Sequence, residues 1–161
     1  MRRKICILMS LFLLILLKNP FYLNADEKKE SIKNKKVVYV FNENKKQGLL
    51  FEDGSVAVEA FYDKFFTMID GRIRAEKNGF SVLLTDTGIV LNNEYLRIVE
   101  FKEGVSSVVS KENRHGFIDK DGKIIIALEY EDAGNFSEGI APVKNNGKWG
   151  YISKFGKVEI P

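Results

Sequence analysis

The chain has few residues for covalent or metal chemistry. It contains one cysteine, Cys6, and one histidine, His115, among 161 residues. A single cysteine cannot form an intrachain disulfide, and no second histidine is present to complete a zinc site around His115. The sequence also has no phosphate-binding loop, no dinucleotide fingerprint and no recognisable nucleophile with its base. We therefore expect a protein that is not an enzyme and that holds no cofactor and no metal.

Long hydrophobic runs are absent except at the N-terminus. Arg2, Arg3 and Lys4 precede an uncharged stretch over 5–17, and a small-residue site follows before Asp26. A membrane-spanning helix needs about 20 apolar residues, and Lys18 interrupts this run too early. Residues 1–25 are predicted to be a cleaved signal peptide, which is the only membrane contact we expect. The mature protein is then exported and is periplasmic, on the cell surface or secreted.

A charge excess of either sign is also missing from the mature chain. Residues 1–25 hold four basic and no acidic residues, which leaves 21 basic against 22 acidic residues after them. A nearly neutral chain lacks the basic surface that nucleic acid requires, so we expect no nucleic-acid partner. Residues 26–36 are highly charged and are predicted to be a disordered spacer, with the folded domain over 37–161.

What the chain does contain is a repeat of 34 residues. Two series of positions show this spacing. The first is Gly54, Gly88, Gly122 and Gly156. The second lies six residues earlier and is Gly48, Val82, Gly116 and Gly150. A fixed period of this length is typical of repeat architectures, so the period should decide the fold.

Each repeat reads as a three-stranded antiparallel β-meander. Asn146-Gly147 is a strong hairpin signal between two strand-like runs, and the next hairpin closes at the periodic glycine. In the strand after that glycine, Ile124 and Ile126 are predicted to share one half-buried face. The sequence predicts an all-β fold of four tandem meanders, which stack as an open array or close into a propeller-like or barrel-like arrangement. Their predicted bounds are 36–60, 71–93, 104–126 and 139–161.

The last repeats resemble a known bacterial family. Lys148-Trp149-Gly150-Tyr151-Ile152, followed by Gly156-Lys157-Val158, is similar to the bacterial WG repeat, and 130–143 resembles the other half of the same repeat. The earlier units depart from it, since Gln47, Ser81 and His115 stand where the motif has tryptophan and Val82 replaces its glycine. The resemblance implies a tandem β repeat of exported or envelope-associated proteins, with no catalytic residues to carry over.

Three aromatic residues are candidates for an interaction surface. Phe65 and Phe66 lie in the first of three variable connectors, 61–71, 94–104 and 128–139, which we expect to project from the array and to contact a partner. Trp149 can stack on a sugar ring, although the sequence favours a packed aromatic beside Gly150. Asp119-Lys120-Asp121-Gly122 resembles the start of a calcium loop, but its remaining ligands are missing and a turn explains it better.

These observations favour a protein that binds rather than catalyses. The first hypothesis is a repeat module that binds or scaffolds a protein or peptide in the bacterial envelope. The second is a module that recognises cell-wall glycan or peptide, which exposed aromatics aligned between units would favour. The third is a structural spacer. An unpaired edge strand at 37–41 or 156–160 would favour strand addition by a partner.

Overall fold

The computed structural model describes residues 35–67, 71–91 and 94–161. The predicted signal peptide and nearly all of the predicted spacer lie outside the described residues, as does Met68 in the first connector. All regular secondary structure in the described part is β strand, which confirms the all-β prediction. No helix in these ranges is long and apolar enough to cross a membrane.

The strands form four antiparallel sheets, and within each sheet neighbours in space are neighbours in sequence. Sheet 1 contains β1 (Val37–Glu43), β2 (Lys46–Phe51) and β3 (Val56–Tyr62). Sheet 2 contains β4 (Lys64–Thr67), β5 (Ile73–Lys77) and β6 (Phe80–Leu84). Sheet 3 contains β7 (Arg97–Ile98), β8 (Val105–Val109), β9 (His115–Asp119) and β10 (Ile124–Tyr130). Sheet 4 contains β11 (Asp132–Ala133), β12 (Ile140–Asn145), β13 (Lys148–Ser153) and β14 (Val158–Ile160).

The sheets differ from the predicted meanders in their first strands. The connectors do not simply project, because β4, β7 and β11 lie in them and pair with β5, β8 and β12 of the following sheet. Sheets 3 and 4 therefore have four strands, and only sheet 1 is the meander that was predicted. Since the described strands form four separate sheets, the barrel-like form of the closed alternative is wrong.

The central hairpin of sheet 4 follows the sequence signal closely. Asn146 and Gly147 have φ values of 49° and 75°, and they join β12 to β13, which pair in continuous register from Asn145↔Lys148 to Ile140↔Ser153. Two consecutive positive φ values are the requirement of a type I′ turn, which Asn-Gly meets with little strain. The predicted hairpin is confirmed.

The glycine of the second periodic series allows one strand to pass close to another. A Cβ at Gly116 would lie 2.7 Å from the carbonyl oxygens of Ile126 and Ala127 in β10, so any side chain there would collide with the backbone of the next strand. In sheet 2 this position is Val82, and the described residues after Gly88 form two isolated bridges, Leu84↔Val90 and Ser81↔Tyr95, in place of a continuous third strand. The missing glycine thus explains why this unit packs differently.

A bulge changes the predicted face of β10. The pairing register shifts between Ile124↔Ile118 and Ile126↔Phe117, so one extra residue is inserted on the β10 side. Ile126 is buried and Ile124 is exposed. The expectation that these two side chains share one half-buried face is therefore wrong.

The core consists of three clusters, and each takes residues from consecutive sheets. The cluster between sheets 1 and 2 includes Tyr62, Phe65 and Leu84. The clusters between sheets 2 and 3 and between sheets 3 and 4 are built in the same way, the first around Leu83 and Tyr95 and the second around Phe117 and Phe136. We call the contact between two consecutive sheets a junction. Each junction also has a hydrogen bond that involves one of three residues spaced 34 positions apart, Asp86, Lys120 and Lys154. These bonds are Val37 N to Asp86 O, Arg72 Nε to Lys120 O and Lys154 Nζ to Glu103 O.

Candidate functional site: an exposed face on the last unit

The 34-residue period allows the same position to be compared in successive units. The position of Trp149 is occupied by Gln47, Ser81 and His115 in the earlier units. Ser81 and His115 are buried and Gln47 is partly buried, whereas Trp149 is 52% exposed. The interpretation of Trp149 as a packed aromatic is therefore wrong, because about half of its side chain is exposed to solvent.

The position two residues further on shows the same contrast. Leu49, Leu83 and Phe117 are almost completely buried, but Tyr151 is 40% exposed. Phe117 owes its burial to the following sheet, because its ring contacts that of Phe136 edge-on with centroids 4.9 Å apart. Among the described residues, none stands in the same relation to Tyr151.

A third position completes the pattern. Ile126 is buried and Val58 packs against a core cluster, whereas the matching Ile160 is 52% exposed; the corresponding Asn92 lies outside the described residues. Ile160 is the direct cross-strand neighbour of Tyr151, and Trp149 lies two residues before Tyr151 on the same strand, so the three side chains share one face. These three side chains form what we call the C-terminal face, and Lys148, one residue before Trp149, lies on the other side of the strand.

Not every apolar side chain of the last unit is exposed for this reason. One further matched position is exposed in all four units, where it is occupied by Val56, Val90, Ile124 and Val158. Side chains at this position are exposed whichever sheet follows the unit, so their exposure does not distinguish the last unit from the others. The C-terminal face is different because its positions are covered in the earlier units.

A tyrosine of each earlier unit pairs with the residue at the Trp149 position. The pairs are Gln47↔Tyr62, Ser81↔Tyr95 and His115↔Tyr130. The Ser81–Tyr95 pair has two backbone hydrogen bonds, of 2.7 and 2.9 Å. Residues just beyond the tyrosine add further contacts. The Phe65 N–H donates to Gln47 Oε1 at 3.0 Å, and His115 Nδ1 lies 3.6 Å from Asp132 Oδ1.

Electrostatics differ between a junction and the C-terminal face. Burial lowers the pKa of His115, against the opposing effect of Asp132, so its imidazole is held in the neutral form. At the same junction the Lys154 ammonium, 3.0 Å from Glu103 Oε2, holds the pKa of that carboxyl below its ordinary value. Lys148, by contrast, forms no ion pair with any described residue and is exposed.

The structure places Phe65 and Phe66 elsewhere than expected. Phe65 is partly buried, with its ring 5.1 Å from that of Tyr62 and packed against the cluster of sheets 1 and 2. The ring of Phe66 is covered by the Arg74 guanidinium at 4.2 Å and the Lys64 ammonium at 4.7 Å. Neither is the freely exposed anchor that was predicted, although both line a small cleft of about 240 Å³ beside Tyr39.

A larger cleft of about 670 Å³ is lined by residues from the region of the first three sheets. Its polar lining includes Lys77, Glu94, Lys111 and Glu112, but Lys111 is already paired with Glu94 at 3.1 Å. In the ranges 35–67, 71–91 and 94–161, no three His, Cys, Asp or Glu side chains converge where a metal ion could bind. The cleft has charges of both signs and no arrangement that selects one ligand chemistry.

Sequence reasoning missed Tyr151, Ile160 and Lys148. The available signal was positional: Tyr151 continues a series of apolar residues, Leu49, Leu83 and Phe117, at a fixed spacing. Such a series marks a buried position, and its burial depends on the unit that follows. In the last described unit the residue at this position, Tyr151, is exposed.

Fold and face together define a class: an all-β protein of similar consecutive units, the last of which exposes a face that the others cover. Residues 116–149, which run from the glycine beside His115 to Trp149, match the family model described as WG containing repeat. The chain therefore contains a WG repeat, and the resemblance seen in its sequence is confirmed. A comparison with curated proteins finds no match.

Proposed function

We propose that this chain is an exported, non-catalytic module of the bacterial envelope whose units stack as an open array and bind a protein partner at the C-terminal face. The observation that carries the proposal is the contrast at three matched positions, where Trp149, Tyr151 and Ile160 are exposed and their described equivalents are buried or partly buried. Aromatic side chains grouped on one face are the usual anchors of protein interfaces.

Edge strands support a protein partner over a glycan. β1 and β14 each lie at the edge of their sheet, which is the arrangement that permits strand addition. Aromatic residues do not recur on an exposed face from unit to unit, since Phe117 is buried and Leu49 and Leu83 are aliphatic. A series of stacking platforms for sugar rings would need such a recurrence.

Photo-crosslinking from the face tests the proposal. Benzoylphenylalanine replaces Tyr151 in the full chain in its source cells, and crosslinked products are identified by mass spectrometry. The matched control places the same probe at Phe155, which is fully exposed on the β13–β14 turn. A partner trapped from position 151 but not from 155, and displaced by excess unmodified protein, is the expected result. Equal products from both positions would contradict the proposal.

Cell-wall binding is the second candidate, and one observation favours it. Trp149 and Tyr151 are exposed two residues apart on one strand, a spacing that places two rings on the same face. Sedimentation of the protein with purified cell wall, lost in Trp149→Ser, would support this function. If neither a protein nor the cell wall is bound, the spacer hypothesis takes precedence.

Export is proposed from the sequence of residues 1–25. Expression of the full chain followed by N-terminal sequencing of the product in each cell fraction tests it. We expect cleavage before Asp26 and recovery outside the cytoplasm.

A further inference from the structure

Two hairpin turns of the chain have the sequence Asn-Gly and nearly the same backbone conformation. Asn78-Gly79 joins β5 to β6 with φ values of 52° and 81°, and Asn146-Gly147 joins β12 to β13 with φ values of 49° and 75°. Both turns are exposed. An asparagine that precedes glycine can be attacked by the glycine nitrogen, because glycine has no side chain to shield that nitrogen. The two turns can therefore be compared as two sites for the same reaction.

A carboxylate is bound at each turn, but it accepts a hydrogen bond from a different N–H group. At the second turn Glu131 accepts from the Gly147 N–H, with Oε1 at 3.2 Å and Oε2 at 3.1 Å. At the first turn Asp63 Oδ2 accepts from the Asn78 N–H at 2.6 Å. The Gly79 N–H has no hydrogen-bond acceptor among the described residues. The nitrogen that would react is thus bound in one turn and free in the other.

The aspartate–glycine pairs of the chain resemble the second turn in this respect. In Asp53-Gly54 and Asp121-Gly122 the glycine N–H donates to a backbone carbonyl at 3.0 Å, that of Phe51 or of Asp119. Among the Asn-Gly and Asp-Gly pairs that the structure describes in full, only Asn78-Gly79 leaves the glycine N–H without an acceptor.

The bond to Glu131 hinders the reaction in two ways. The glycine nitrogen gives up its proton as it attacks, and a carboxylate that is bound to this N–H disfavours the negatively charged nitrogen. The nitrogen must also move toward the asparagine Cγ by rotation about the asparagine Cα–C bond, which breaks the bond to Glu131. The same rotation at the first turn leaves the Asn78 N–H on Asp63, because that nitrogen precedes the rotating bond. Asp63 therefore does not protect its turn as Glu131 does.

We propose that Asn78-Gly79 is a site of spontaneous deamidation and that Glu131 protects Asn146-Gly147 from the same reaction. The Gly79 nitrogen loses its proton to solvent and forms a bond to Asn78 Cγ, and the side-chain nitrogen takes a proton from solvent and leaves as ammonia. Water then opens the resulting succinimide ring at either carbonyl, which gives aspartate or isoaspartate at position 78. One water is consumed and one ammonia is released, so the reaction needs no oxidant and no cofactor. This inference is independent of the proposed function.

The modified residue lies at the junction of sheets 1 and 2. Asp63 contacts Lys46 of β2, and its own N–H donates to Glu76 O of β5 at 2.7 Å. Either product adds a second carboxylate to the turn that Asp63 binds, and the two negative charges repel each other. Isoaspartate also lengthens the backbone by one carbon atom, which a two-residue turn between the paired Lys77 and Phe80 does not accommodate. The reaction therefore weakens this junction as the molecule ages.

Incubation of the full chain at mildly alkaline pH tests the proposal. Samples taken over time are digested with pepsin at acid pH, and mass spectrometry locates the gain of about 1 Da that marks each converted asparagine. An isoaspartate-specific methyltransferase assay detects the isomerised product. We expect conversion at Asn78 to be about tenfold faster than at Asn146, the effect of one hydrogen bond to a charged group. In urea, where neither turn is formed, the two sites should react at similar rates.

A variant of Glu131 decides whether its carboxylate protects the second turn. Glu131→Ala should raise the rate at Asn146 about tenfold and leave the rate at Asn78 unchanged. Glu129→Ala removes an exposed carboxylate two residues earlier; it is the matched control and should change neither rate. Thermal unfolding of both variants checks that neither change affects the fold.

The effect on the junction is measured with the first turn blocked. Asn78→Gly retains a residue that adopts positive φ but has no side-chain amide to react. Urea unfolding of the original chain should show a loss of stability that grows with incubation time, and Asn78→Gly should not show this loss.

Several results would overturn the inference. Equal rates at the two turns of the folded chain would do so, as would a faster reaction at Asn146 or an unchanged rate there in Glu131→Ala. If Asn78 reacts in urea but stays unconverted in the folded chain, the turn itself blocks the reaction and the proposed site does not exist.

Discussion

The junction between sheets 3 and 4 and the C-terminal face are built from corresponding residues, yet they have opposite environments. His115, Phe117 and Ile126 are buried at the junction, and Trp149, Tyr151 and Ile160 are exposed 34 residues later. The strands that carry them have the same order and direction. The difference teaches that burial at these positions depends on contacts with a neighbouring sheet and not on the local sequence alone.

Truncation of the aromatic residue at the second position should produce the largest difference. Phe117→Ala removes a completely buried ring and is expected to lower the free energy of unfolding by about 3 to 5 kcal/mol. Tyr151→Ala removes a half-exposed ring and should cost about 1 kcal/mol or less. Urea unfolding of both variants measures this. Equal losses would mean that Tyr151 is covered in solution, and the comparison would fail.

The glycines beside these residues should show a smaller contrast of the same kind. Gly116→Ala places a Cβ against the backbone of β10, whose Ile126 and Tyr130 are buried in the core cluster of sheets 3 and 4, and should cost about 2 kcal/mol. At Gly150 the Cβ would meet Ile160 O at 2.8 Å, but β14 is short and exposed and can move away.

Gly150→Ala is therefore expected to be the milder change, as measured by urea unfolding of the two variants. A loss at Gly150 as large as that at Gly116 would show that β14 is held as firmly as β10. The short third strand would then not be a weak edge of the last unit.

The pH dependence of stability should distinguish the His115 junction from the C-terminal face, where tryptophan replaces histidine. Burial lowers the pKa of His115 below its ordinary 6.5 although Asp132 opposes this, and Arg97 acts in the same direction as burial. Below the ordinary pKa, His115 is therefore protonated in the unfolded chain while it is still neutral in the folded chain. Stability should fall as the pH drops below about 6.5 and continue to fall until the pH reaches the lowered pKa.

Urea unfolding at pH 7.5, 6.5 and 5.5 measures this decrease, and His115→Gln should remove it. Asp63 and Glu103 also have lowered pKa values, caused first by hydrogen bonds from Lys46 and Lys154. Their stabilising effect is lost only as the pH falls below the ordinary values of 3.8 and 4.5, so it does not overlap this range. An unchanged slope in His115→Gln would contradict the assignment.

The sequence predicted the repeat because the chemistry of tight turns is local. Asn146-Gly147 and the four periodic glycines adopt the positive φ values that their turns require, and each can be recognised without knowledge of the rest of the chain. The loss of the glycine at Val82 was also visible, and it coincides with the unit in which the third strand is reduced to isolated bridges.

The rest depended on contacts between units, which no local pattern contains. β7 and β11 have two residues each, too few for an alternating pattern to appear. Phe65 looked like an extra exposed aromatic, but its burial depends on Tyr62 and on sheet 2. Trp149 looked like a core residue because its motif predicts one, whereas its exposure reflects the absence of a described partner strand opposite it.

The smallest effect on stability should come from the residue with the largest proposed role in binding. Trp149→Ser gives the last unit the residue that the second unit has at Ser81. Because the indole is about half exposed, the free energy of unfolding should change by no more than about 0.5 kcal/mol. Capture of a partner from position 151 should nevertheless be lost. Val158→Ser, at a position that is exposed in every unit where it is described, should change neither quantity. A stability loss of several kcal/mol in Trp149→Ser would show that the tryptophan is a packing residue after all, and the distinction between the junction and the face would disappear.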